Sequence, residues 1–506
     1  MAIIGKIIKQ AIHLSEAIGT EADPVKEQQQ VLRKLLNKAK HTAFGKQYDF
    51  QKILTHKSLI QAFQQAVPIF DYDKLYTEWW HYLLAGHQNV TWPGGQSYFA
   101  ISSGTTSNSK YIPVTEDMLE AIRRAGIQQI TSLKNFDLPP TFFEKQILML
   151  GSSTNLIQKD DHLEGEISGI SAANIPFWFR KFYKPGSEIA SLDNWEQKIR
   201  QIAERAPEWD IGSITGIPSW TELMLKEIIS FNKLNTIHDV WPNLAVYTSG
   251  GVAFEPYRKS FEKLVAKPLV YIDTYLASEG YLATQKRPDA DMALITDNGV
   301  FFEFVPFTEA NMEKDGTIKP QAQVLSTAEV EENVNYVLLI STVAGAWRYM
   351  IGDTVMVTNK EIMEIKISGR TKHYLNVVGE QLSVYQMNEA MRLVEREFNT
   401  TIEEFTVAAL VNDGDYKNRW ILGTTNLSAD AAKVADYLDN QLRALNKNYD
   451  VARNKALKSV EVKLVPINHF YEWSAQTKKL GGQVKIPRVM KDNEFLALEK
   501  FLNALG

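Results

Sequence analysis

The chain of 506 residues contains no cysteine. This absence excludes disulfide bridges, thiolate metal sites and cysteine nucleophiles, and it fits a reducing compartment. Histidine is scarce: its nine residues show neither HExxH nor HxxxH spacing, so the sequence does not support a metal site built from histidines. There is also no GxSxG motif, which argues against a serine hydrolase.

Positive charge is not in excess, because 55 Lys and Arg face 60 Asp and Glu for a net charge of -5. No global field therefore attracts nucleic acid or an anionic membrane, and no uncharged apolar run approaches the roughly 18 residues of a membrane span. The amino terminus MAIIGKIIKQAIHL has isoleucines at helical spacing, interrupted by Lys6 and Lys9, which indicates an amphipathic helix rather than a signal peptide. We expect a cytoplasmic protein with small-molecule substrates that binds neither nucleic acid nor membrane.

The length predicts two to four packed units with ligand sites in clefts. Short β-rich runs alternate with helical stretches up to about residue 365, which favours an α/β fold. These runs are YFAI (98–101), QILML (146–150), LAVY (244–247), LVYID (269–273) and YVLLIST (336–342).

Three helices carry clear signals. Asp23 before Pro24 predicts the start of a helix that ends near Gly45, Ser428 predicts a second start, and residues 493–502 form a closing helix. The polar segment KISGRTKHY (366–374) predicts a hinge between a large and a small domain. The aromatic and basic segment FWFRKFYK (177–184) has two open interpretations, the lining of an acyl pocket or an amphipathic surface element.

A stretch rich in hydroxyl side chains follows the first predicted strand. Residues 97–115 read SYFAISSGTTSNSKYIPVT, where an apolar strand leads to Ser102, Ser103, Gly104, Thr105, Thr106 and Lys110, and then to a helix capped by Thr115. Hydroxyls and the N–H groups around a glycine can bind phosphate oxygens, and a lysine adds a mobile positive charge. The GxxxxGK[ST] pattern of a Walker A loop is absent. From these residues alone, a phosphate loop and a polar surface turn both remain open.

Three later segments carry residue types that suit a nucleotide. In YTSGGVAFEPY (247–257), YLASEG (275–280) and WRYMIGDTV (347–355) these are Gly250 and Gly251, then Tyr275, Ser278 and Glu279, then Gly352 and Asp353. A glycine pair lets a planar ligand lie flat on the backbone, and an aspartate can accept hydrogen bonds from ribose. Each residue also has an ordinary interpretation: a turn, a core ring, a solvated carboxylate or a Gly-Asp β-turn.

Together these motifs resemble the adenylate-forming superfamily of acyl-CoA ligases, luciferases and peptide-synthetase adenylation domains. SSGTTSNSK is similar to its phosphate motif SSGTTGxPK, and later motifs follow in the superfamily's order at SGG (249–251), YLASE (275–279), GD (352–353) and GRTKHYLNVVGE (369–380). Within it, the chain most resembles the plant auxin-responsive Gretchen Hagen acyl acid amido synthetases and their bacterial relatives. The shared segments include TAFGKQYDF (42–50), GAWRYMIGD (345–353) and GGQVKIPR (481–488). Two departures are Met350, where YRxGD is common, and Gln381, where plant members carry lysine.

The resemblance implies an adenylate-forming α/β fold, with a large N-terminal multi-layer ATP and acyl-acid domain (1–368) hinged to a smaller C-terminal lid domain (369–506). It also implies ATP and Mg²⁺ as cofactors, and a small carboxylic acid and an amino acid as substrates. Closure of the lid would protect an acyl adenylate from water.

The resemblance further implies a role for each motif residue. The phosphate ligands are Ser102, Ser103, Gly104, Thr105 and Thr106, with Lys110 on the departing pyrophosphate; the nucleotide site also includes Gly250, Gly251, Tyr275 stacked on adenine, Ser278, Asp353 on ribose and Arg370. Magnesium is held by Glu279, and Lys485 of the small domain enters the site. Two other functions stay open: an acyl-CoA ligase with the same first half-reaction, and an inactive nucleotide-binding relative.

Overall fold

The structure is a computed structural model that describes residues 23–102, 110–177, 179–251, 254–313, 316–371, 382, 384–412, 415–446, 449–450, 453–454, 457–477 and 486–505. It divides into two compact units. The first comprises Met1–Ala253 and Leu264–Lys366, and the second comprises Phe254–Lys263 and Ile367–Gly506. The second unit thus takes up a short segment from the middle of the chain. The amphipathic helix predicted near residues 3–12 lies outside the described residues.

The helices of the described chain are mostly short. They are α1 Pro24–Ala39, α2 Ala43–Gln47, α3 Phe50–Thr55, α4 Leu59–Ala66, α5 Tyr72–Leu75, α6 His81–Leu84, α7 Glu116–Ser132, α8 Ile167–Ala173, α9 Ser187–Ala190, α10 Trp195–Arg205, α11 Pro218–Phe231, α12 Arg258–Glu262, α13 Val384–Glu397, α14 Ala431–Leu445, α15 Asn468–Thr477 and α16 Asp492–Leu505. Over these ranges no helix combines the length and the apolar character needed to span a bilayer.

The strands form three sheets. They are β1 Tyr98–Ser102, β2 Lys110–Val114, β3 Gln146–Leu150, β4 Ile157–Lys159, β5 His162–Gly165, β6 Tyr183–Lys184, β7 Ile211–Gly216, β8 Val246–Gly250, β9 Val270–Ala277, β10 Gly280–Gln285, β11 Met292–Leu294, β12 Val300–Pro306, β13 Asn335–Thr342, β14 Tyr349–Asn359, β15 Glu364–Arg370, β16 Ile402–Asn412, β17 Asp415–Thr424 and β18 Leu457–Pro466. The sheet orders are β2-β1-β5-β4, β12-β13-β14-β15-β11-β10-β9-β8-β7-β3-β6 and β16-β17-β18.

The predicted α/β class and all five predicted strands are confirmed; QILML coincides with β3, and the ends of the other four strands are shifted. LAVY becomes β8, which starts at Val246, and LVYID extends as β9 to Ala277. The predicted helix capped by Thr115 is confirmed, but the sequence did not indicate the strand that precedes it. Residues 110–114 form β2, antiparallel to β1, and only then does Thr115 cap α7 by accepting a hydrogen bond from the Met118 N–H. The loop is therefore the connection of a β-hairpin.

Two predicted helix boundaries also need correction. The first helix does start at Asp23, whose side chain accepts from the Lys26 N–H, but it ends at Ala39 rather than near Gly45. Gly45 lies inside the next helix, where an added Cβ would come within 2.2 Å of the Ala39 carbonyl oxygen, so close backbone approach explains this glycine. The later helix starts after Asp430, not Ser428, because the Asp430 carboxylate accepts from its first-turn N–H groups. The closing helix is confirmed as α16.

Two of the segments that carry the sequence resemblance meet in the core of the first unit. Phe44 and Phe50, from residues 42–50, lie with ring centroids 5.7 and 4.8 Å from that of Trp347. The Trp347 indole donates to the Thr91 carbonyl oxygen at 3.0 Å. These segments therefore stabilise the fold through aromatic packing.

The long sheet of the first unit curves strongly. Strands β9 and β14 are separated by β10, β11 and β15, which in a flat sheet would place them about 19 Å apart. The Tyr275 hydroxyl on β9 nevertheless donates to Asp353 Oδ2 on β14 at 2.5 Å. The sheet must therefore fold over until these two strands face each other across the core.

The second unit is a three-layer arrangement around its own sheet. One face of β16 and β17, with Phe405, Val407 and Trp420, packs against α13 and α14. The other face, with Ala408 and Ile421, packs against α15 and α16. The alternation of these residues matches the two-residue period of a strand that is buried on both faces.

A buried ion pair ties the N-terminal helices to the long sheet. Arg348, in the segment before β14, donates from Nε to both Glu303 carboxylate oxygens on β12 at 3.2 and 3.1 Å, and both side chains are almost fully buried. The guanidinium also donates to the Gln64 and Val67 carbonyl oxygens at 2.9 and 2.6 Å. Arg348 has a φ of +42°, a left-handed conformation that this network holds in place.

Replacing Arg348 by methionine should destabilise the protein by about 3–5 kcal/mol, because it leaves the Glu303 charge buried without its partner. The double variant Arg348→Met, Glu303→Met should recover most of the loss. Urea unfolding measures both. The control is Arg123→Met, whose exposed pair with Glu120 contributes at most about 1 kcal/mol. Equal losses in the single and double variants would contradict this account.

Candidate nucleotide site

The candidate site lies in the first unit, where neighbouring parallel strands end. Strands β3, β7, β8 and β9 are mutually parallel, so their carboxyl ends meet at one edge of the sheet. Ligands of α/β proteins bind at this edge. Two predicted segments follow adjacent strands there: the glycine pair at the end of β8, and Ser278 and Glu279 after β9.

The glycine pair ends β8 in a way that requires glycine. Gly251 has a φ of +85°, in the region that L side chains rarely adopt. A Cβ on Gly250 would come within 3.1 Å of Thr274 Oγ1, and Thr274 donates to the Ser249 carbonyl oxygen at 2.8 Å. The Ser249 side chain is only 1% exposed, and its Oγ has no hydrogen-bond partner among the described residues. A buried hydroxyl that lacks a protein partner is available for a hydrogen bond with a polar ligand.

Glu279 lies in the tight turn between β9 and β10, next to Ser278, and its side chain is 8% exposed. A carboxylate is the oxygen ligand that Mg²⁺ takes beside substrate phosphates, so Glu279 fits the predicted metal role by its chemistry and its place at the strand ends. The described ranges contain no group of three or more His, Cys, Asp or Glu that would hold a metal by themselves. A magnesium ion at Glu279 would therefore depend on phosphate oxygens and water.

Tyr275 and Asp353 lie side by side. The 2.5 Å hydrogen bond between the Tyr275 hydroxyl and Asp353 Oδ2 brings together the residues predicted for adenine and ribose. Tyr275 is 5% exposed and belongs to the main core of the first unit. Because the ring is fixed in the core, its hydroxyl helps to hold the Asp353 carboxylate in one orientation. The sequence did not indicate this hydrogen bond.

A β-bulge, and not a β-turn, sets the direction of the Asp353 side chain. Between the pairs Leu339–Met350 and Val337–Thr354, β14 has three residues opposite one residue of β13. Gly352 lies in this bulge with a φ of +90°. Bulges redirect side chains next to functional sites, and here the bulge occurs at the Gly-Asp pair that also allowed a β-turn interpretation.

Lys110 sits at the base of the hydroxyl-rich loop. It is the Cα partner of Ser102 across the β1–β2 hairpin, so the two strand ends that carry the loop are held together. Its ammonium lies 5.0 Å from the centre of the Tyr72 ring, and the Tyr72 hydroxyl accepts from the Tyr111 N–H at 2.8 Å. Burial raises the pKa of Tyr72 to about 12, so it stays neutral. Tyr72 was missed from the sequence because nothing near it marks a site.

A second missed residue is Gln129 on α7. Its side chain accepts from the Tyr281 hydroxyl at 2.8 Å and donates to Thr248 Oγ1 at 3.2 Å. Thr248 directly precedes Ser249. The glutamine thus fixes the helix that follows the hairpin against the strand that carries the glycine pair. Its position on a helix of otherwise ordinary sequence gave no signal.

The structure describes only some of the remaining predicted residues. Ser103, Gly104, Thr105, Thr106 and Lys485 lie outside the described residues, and for Ser102 the strand position alone is described. Arg370 is exposed at the end of β15, on the second unit. In the segment predicted as an acyl pocket or a surface element, Phe177 is 81% exposed.

Models of the GH3 family N-terminal, central and C-terminal domains match residues 15–180 and 159–269, residues 293–370, and residues 385–494. The indole-3-acetic acid-amido synthetase GH3.3 of Arabidopsis thaliana is 25% identical over 284 residues, 52% of this chain and 46% of that protein. The jasmonoyl-L-amino acid synthetase GH3.5 of Oryza sativa subsp. japonica is 24% identical over 313 residues, 56% of this chain and 52% of that protein. The chain spans about half the length of the curated relatives it matches.

Solved structures resemble almost the whole chain. The GH3.15 acyl acid amido synthetase has a TM-score of 0.77 at 17% identity, covering 98% of this chain and 96% of its own. A 2-hydroxyisobutyryl-CoA ligase in complex with 2-HIB-AMP has a TM-score of 0.58 at 13% identity, covering 95% and 92%. These likenesses show the fold, and they confirm the predicted adenylate-forming α/β architecture.

Proposed function

The chain belongs to the GH3 family, and on this premise we propose that it is an ATP-dependent acyl acid amido synthetase. It would adenylate a small carboxylic acid and transfer the acyl group to the amine of an amino acid. The observation that carries the proposal is the arrangement of Ser249–Gly251 and Ser278–Glu279 after the adjacent parallel strands β8 and β9. A buried hydroxyl, a glycine-only backbone and a carboxylate at one sheet edge suit a nucleotide with its metal.

In the first half-reaction, a carboxylate oxygen of the acid bonds to the α-phosphorus of ATP. The bond from this phosphorus to the bridging oxygen breaks, and pyrophosphate leaves. Because acid and triphosphate are both anionic, the protein's main tasks are positioning and charge neutralisation. We assign the phosphates to the loop residues and the leaving pyrophosphate to Lys110, which the hairpin and the Tyr72 ring hold at the base of the loop.

Glu279 would hold magnesium, which when bound neutralises phosphate charge. Asp353 would accept hydrogen bonds from the ribose hydroxyls, with Tyr275 fixing its orientation. Stacking of the Tyr275 ring on adenine, contact of Arg370 with the nucleotide and a catalytic role of Lys485 in adenylation remain proposals from family resemblance.

In the second half-reaction, the amine nitrogen attacks the acyl carbon, the bond to the AMP oxygen breaks, and AMP leaves while the nitrogen gives up a proton to solvent. An acyl-CoA ligase would share the first step and use a thiol as acceptor. The relatives are named for indole-3-acetic acid and for jasmonoyl conjugates, so we propose aryl and cyclic aliphatic acids as the first substrates to test. A cytoplasmic location also remains a proposal.

We expect acid-dependent pyrophosphate exchange into ATP with at least one acid of an aryl and aliphatic panel that includes indole-3-acetate and jasmonate. Mass spectrometry should then find an amide when the twenty amino acids are supplied. A thioester formed with CoA, and no amide, would replace the proposal by an acyl-CoA ligase. ATP binding without exchange for any acid would favour an inactive nucleotide-binding protein.

Glu279→Gln should lower the exchange rate by about 100-fold or more, because it removes the charge proposed to hold the metal. Glu364→Gln is the matched control, since Glu364 is equally buried in the first unit but pairs with Arg287. Its exchange rate should stay within about twofold of the original protein. If Glu279→Gln exchanged pyrophosphate at the rate of the original protein, Glu279 would not be the residue that holds the metal.

Tyr275→Phe and Asp353→Asn should each raise the KM for ATP by about five- to twentyfold, because both disturb the carboxylate proposed for ribose. The double variant should show less than the sum of the two effects, as expected for partners in one hydrogen bond. Tyr336→Phe controls for removal of another buried hydroxyl, which accepts from the Glu331 N–H. Strictly additive effects on the KM would show that the two residues act independently, which would contradict the proposal.

A further inference from the structure

Glu166 carries a carboxylate that has no role in the site described above. It lies directly before α8, and its Oε2 accepts a hydrogen bond from Ser152 Oγ. Ser168 Oγ donates to Ser152 Oγ at 3.0 Å, and the Ser152 N–H donates to Ser168 Oγ at 3.1 Å. All three residues are half-buried. Together Ser152, Glu166 and Ser168 form the Glu166 cluster.

Two segments pack closely at the Glu166 cluster. Ser152 follows the end of β3, whereas Glu166 and Ser168 lie between β5 and the first turn of α8. An added Cβ on Gly169 would lie 2.2 Å from the Ser153 carbonyl oxygen, so only glycine allows this approach. The backbone on both sides of the Glu166 carboxylate is therefore held in place.

The cluster lies two strands away from residues of the candidate nucleotide site. Leu150 at the end of β3 pairs with Gly216 on β7, and Gly216 pairs with Ser249 on β8. Because neighbouring strands are about 4.8 Å apart, the Cα atoms of Leu150 and Ser249 are separated by about 10 Å. Ser152 comes two residues after Leu150, at the same carboxyl edge of the long sheet. The Glu166 cluster is thus a neighbour of the candidate nucleotide site.

The small sheet places the cluster beside the strand that leads to the hydroxyl-rich loop. β5 runs parallel to β1, and Gly165 is the Cα partner of Ala100. Glu166 directly follows Gly165, and Ser102 follows Ala100 by two residues. Both strands therefore end at the same edge of the small sheet. Two sheets thus bring Glu166 close to residues proposed for the nucleotide.

The charges around the cluster sum to one negative charge. Lys198 on α10 is 4% exposed, and its ammonium donates to the Ala190 carbonyl oxygen at 3.2 Å. Burial lowers the pKa of Lys198, and the negative charges of Asp193 and Glu166 oppose this shift. Two carboxylates and one ammonium leave a net negative charge that one monovalent cation balances.

We propose that the Glu166 cluster binds the amino group of the acceptor amino acid. The inference rests on the proposed function, in which the other organic substrates, ATP and the acid, are anions that Glu166 repels. The amino group of an amino acid is an ammonium near neutral pH, and a carboxylate forms strong charge-assisted hydrogen bonds with it. The cluster therefore supplies the charge and the acceptor oxygens that this one cationic substrate needs.

The same carboxylate stabilises the charge that forms during acyl transfer. The bound ammonium first gives up one proton to solvent, and the neutral amine nitrogen attacks the acyl carbon. The nitrogen becomes positive, the bond from the acyl carbon to the AMP oxygen breaks, and a second proton leaves for solvent. Glu166 lies beside the nitrogen when its positive charge develops, which is where a fixed negative charge accelerates the step.

Magnesium is the other cation of the reaction, and the cluster suits it less well. Mg²⁺ requires near-octahedral oxygen ligands, usually one or two carboxylates beside substrate phosphates and water. One oxygen of Glu166 already accepts a hydrogen bond from Ser152, and the nearby Lys198 ammonium opposes a second positive charge more strongly when that charge is divalent. An ammonium needs only hydrogen-bond acceptors, which the carboxylate and the serine hydroxyls provide.

Separate assays of the two half-reactions test this assignment. Glu166→Gln should raise the KM for the conjugated amino acid in amide formation by about ten- to a hundredfold, because a charge-assisted hydrogen bond is lost. Acid-dependent pyrophosphate exchange, which needs no amino acid, should stay within about twofold. Glu164→Gln is the matched control, since Glu164 is a buried carboxylate of the same segment that pairs with His162 at 3.1 Å. It should change neither quantity.

Hydroxylamine gives a second readout, because it traps acyl adenylates as hydroxamates and is largely uncharged near neutral pH. Hydroxamate formation in Glu166→Gln should stay within about twofold of the original protein. Ser152→Ala should raise the KM for the amino acid by about three- to tenfold, because it removes the hydrogen bond that orients the carboxylate. This variant remains informative if Glu166→Gln does not fold.

The outcomes separate this assignment from the proposed function. An unchanged KM for the amino acid in Glu166→Gln, with exchange intact, would overturn the assignment. So would an equal loss of exchange and hydroxamate formation, which indicates a structural role, or an altered Mg²⁺ dependence of exchange, which indicates a metal ligand. Thioester formation with CoA and no amide would refute the acceptor site while adenylation stands. An absence of exchange in the original protein would refute the proposed function itself, and the assignment with it.

Discussion

The curvature of the long sheet in the first unit is the constraint on which the candidate site depends. Strands far apart in sheet order carry Tyr275 and Asp353, and only a sheet that folds over brings the two side chains into one hydrogen bond. The bulge at Gly352 then turns Asp353 toward its partner. Because the parallel part of the same sheet ends at the glycine pair and Glu279, this one sheet supplies the glycine pair, Tyr275, Glu279 and Asp353. Lys110 comes from the β1–β2 hairpin, and Tyr72 and Gln129 come from α5 and α7.

Buried arginine–carboxylate pairs recur where distant segments must be held together. Arg348 and Glu303 join the N-terminal helices to the long sheet, while Arg453 with Asp439 and Arg488 with Glu404 do the same within the second unit. The planar guanidinium satisfies several acceptors at once, so these charges can be buried with most of their hydrogen-bonding groups paired. Replacing a whole buried pair by well-packed apolar side chains can leave stability unchanged, whereas removing one partner leaves a buried charge unpaired and is costly.

The family segments therefore divide into two kinds. TAFGKQYDF and the first half of GAWRYMIGD contribute aromatic packing and a structural ion pair, whereas SGG, YLASE and the Gly-Asp pair lie where a nucleotide is expected in this fold. Shared motifs thus report core architecture as well as chemistry. This explains how two relatives at about one quarter identity, and structures well below it, still indicate one architecture.

The amino-acid sequence by itself determined the α/β class, the main strands, the helix caps at Asp23 and Thr115 and the family, because periodicity, capping residues and ordered motifs are local properties. It did not reveal β2, the start of α14 at Asp430, or the inclusion of Phe254–Lys263 in the second unit. Tyr72, Gln129 and the Tyr275–Asp353 contact were likewise decided only in three dimensions. Their partners are distant in sequence. The curved sheet brings Tyr275 to Asp353, the packing of α7 brings Gln129 to Thr248, and the packing of α5 on the β1–β2 hairpin brings Tyr72 to Lys110.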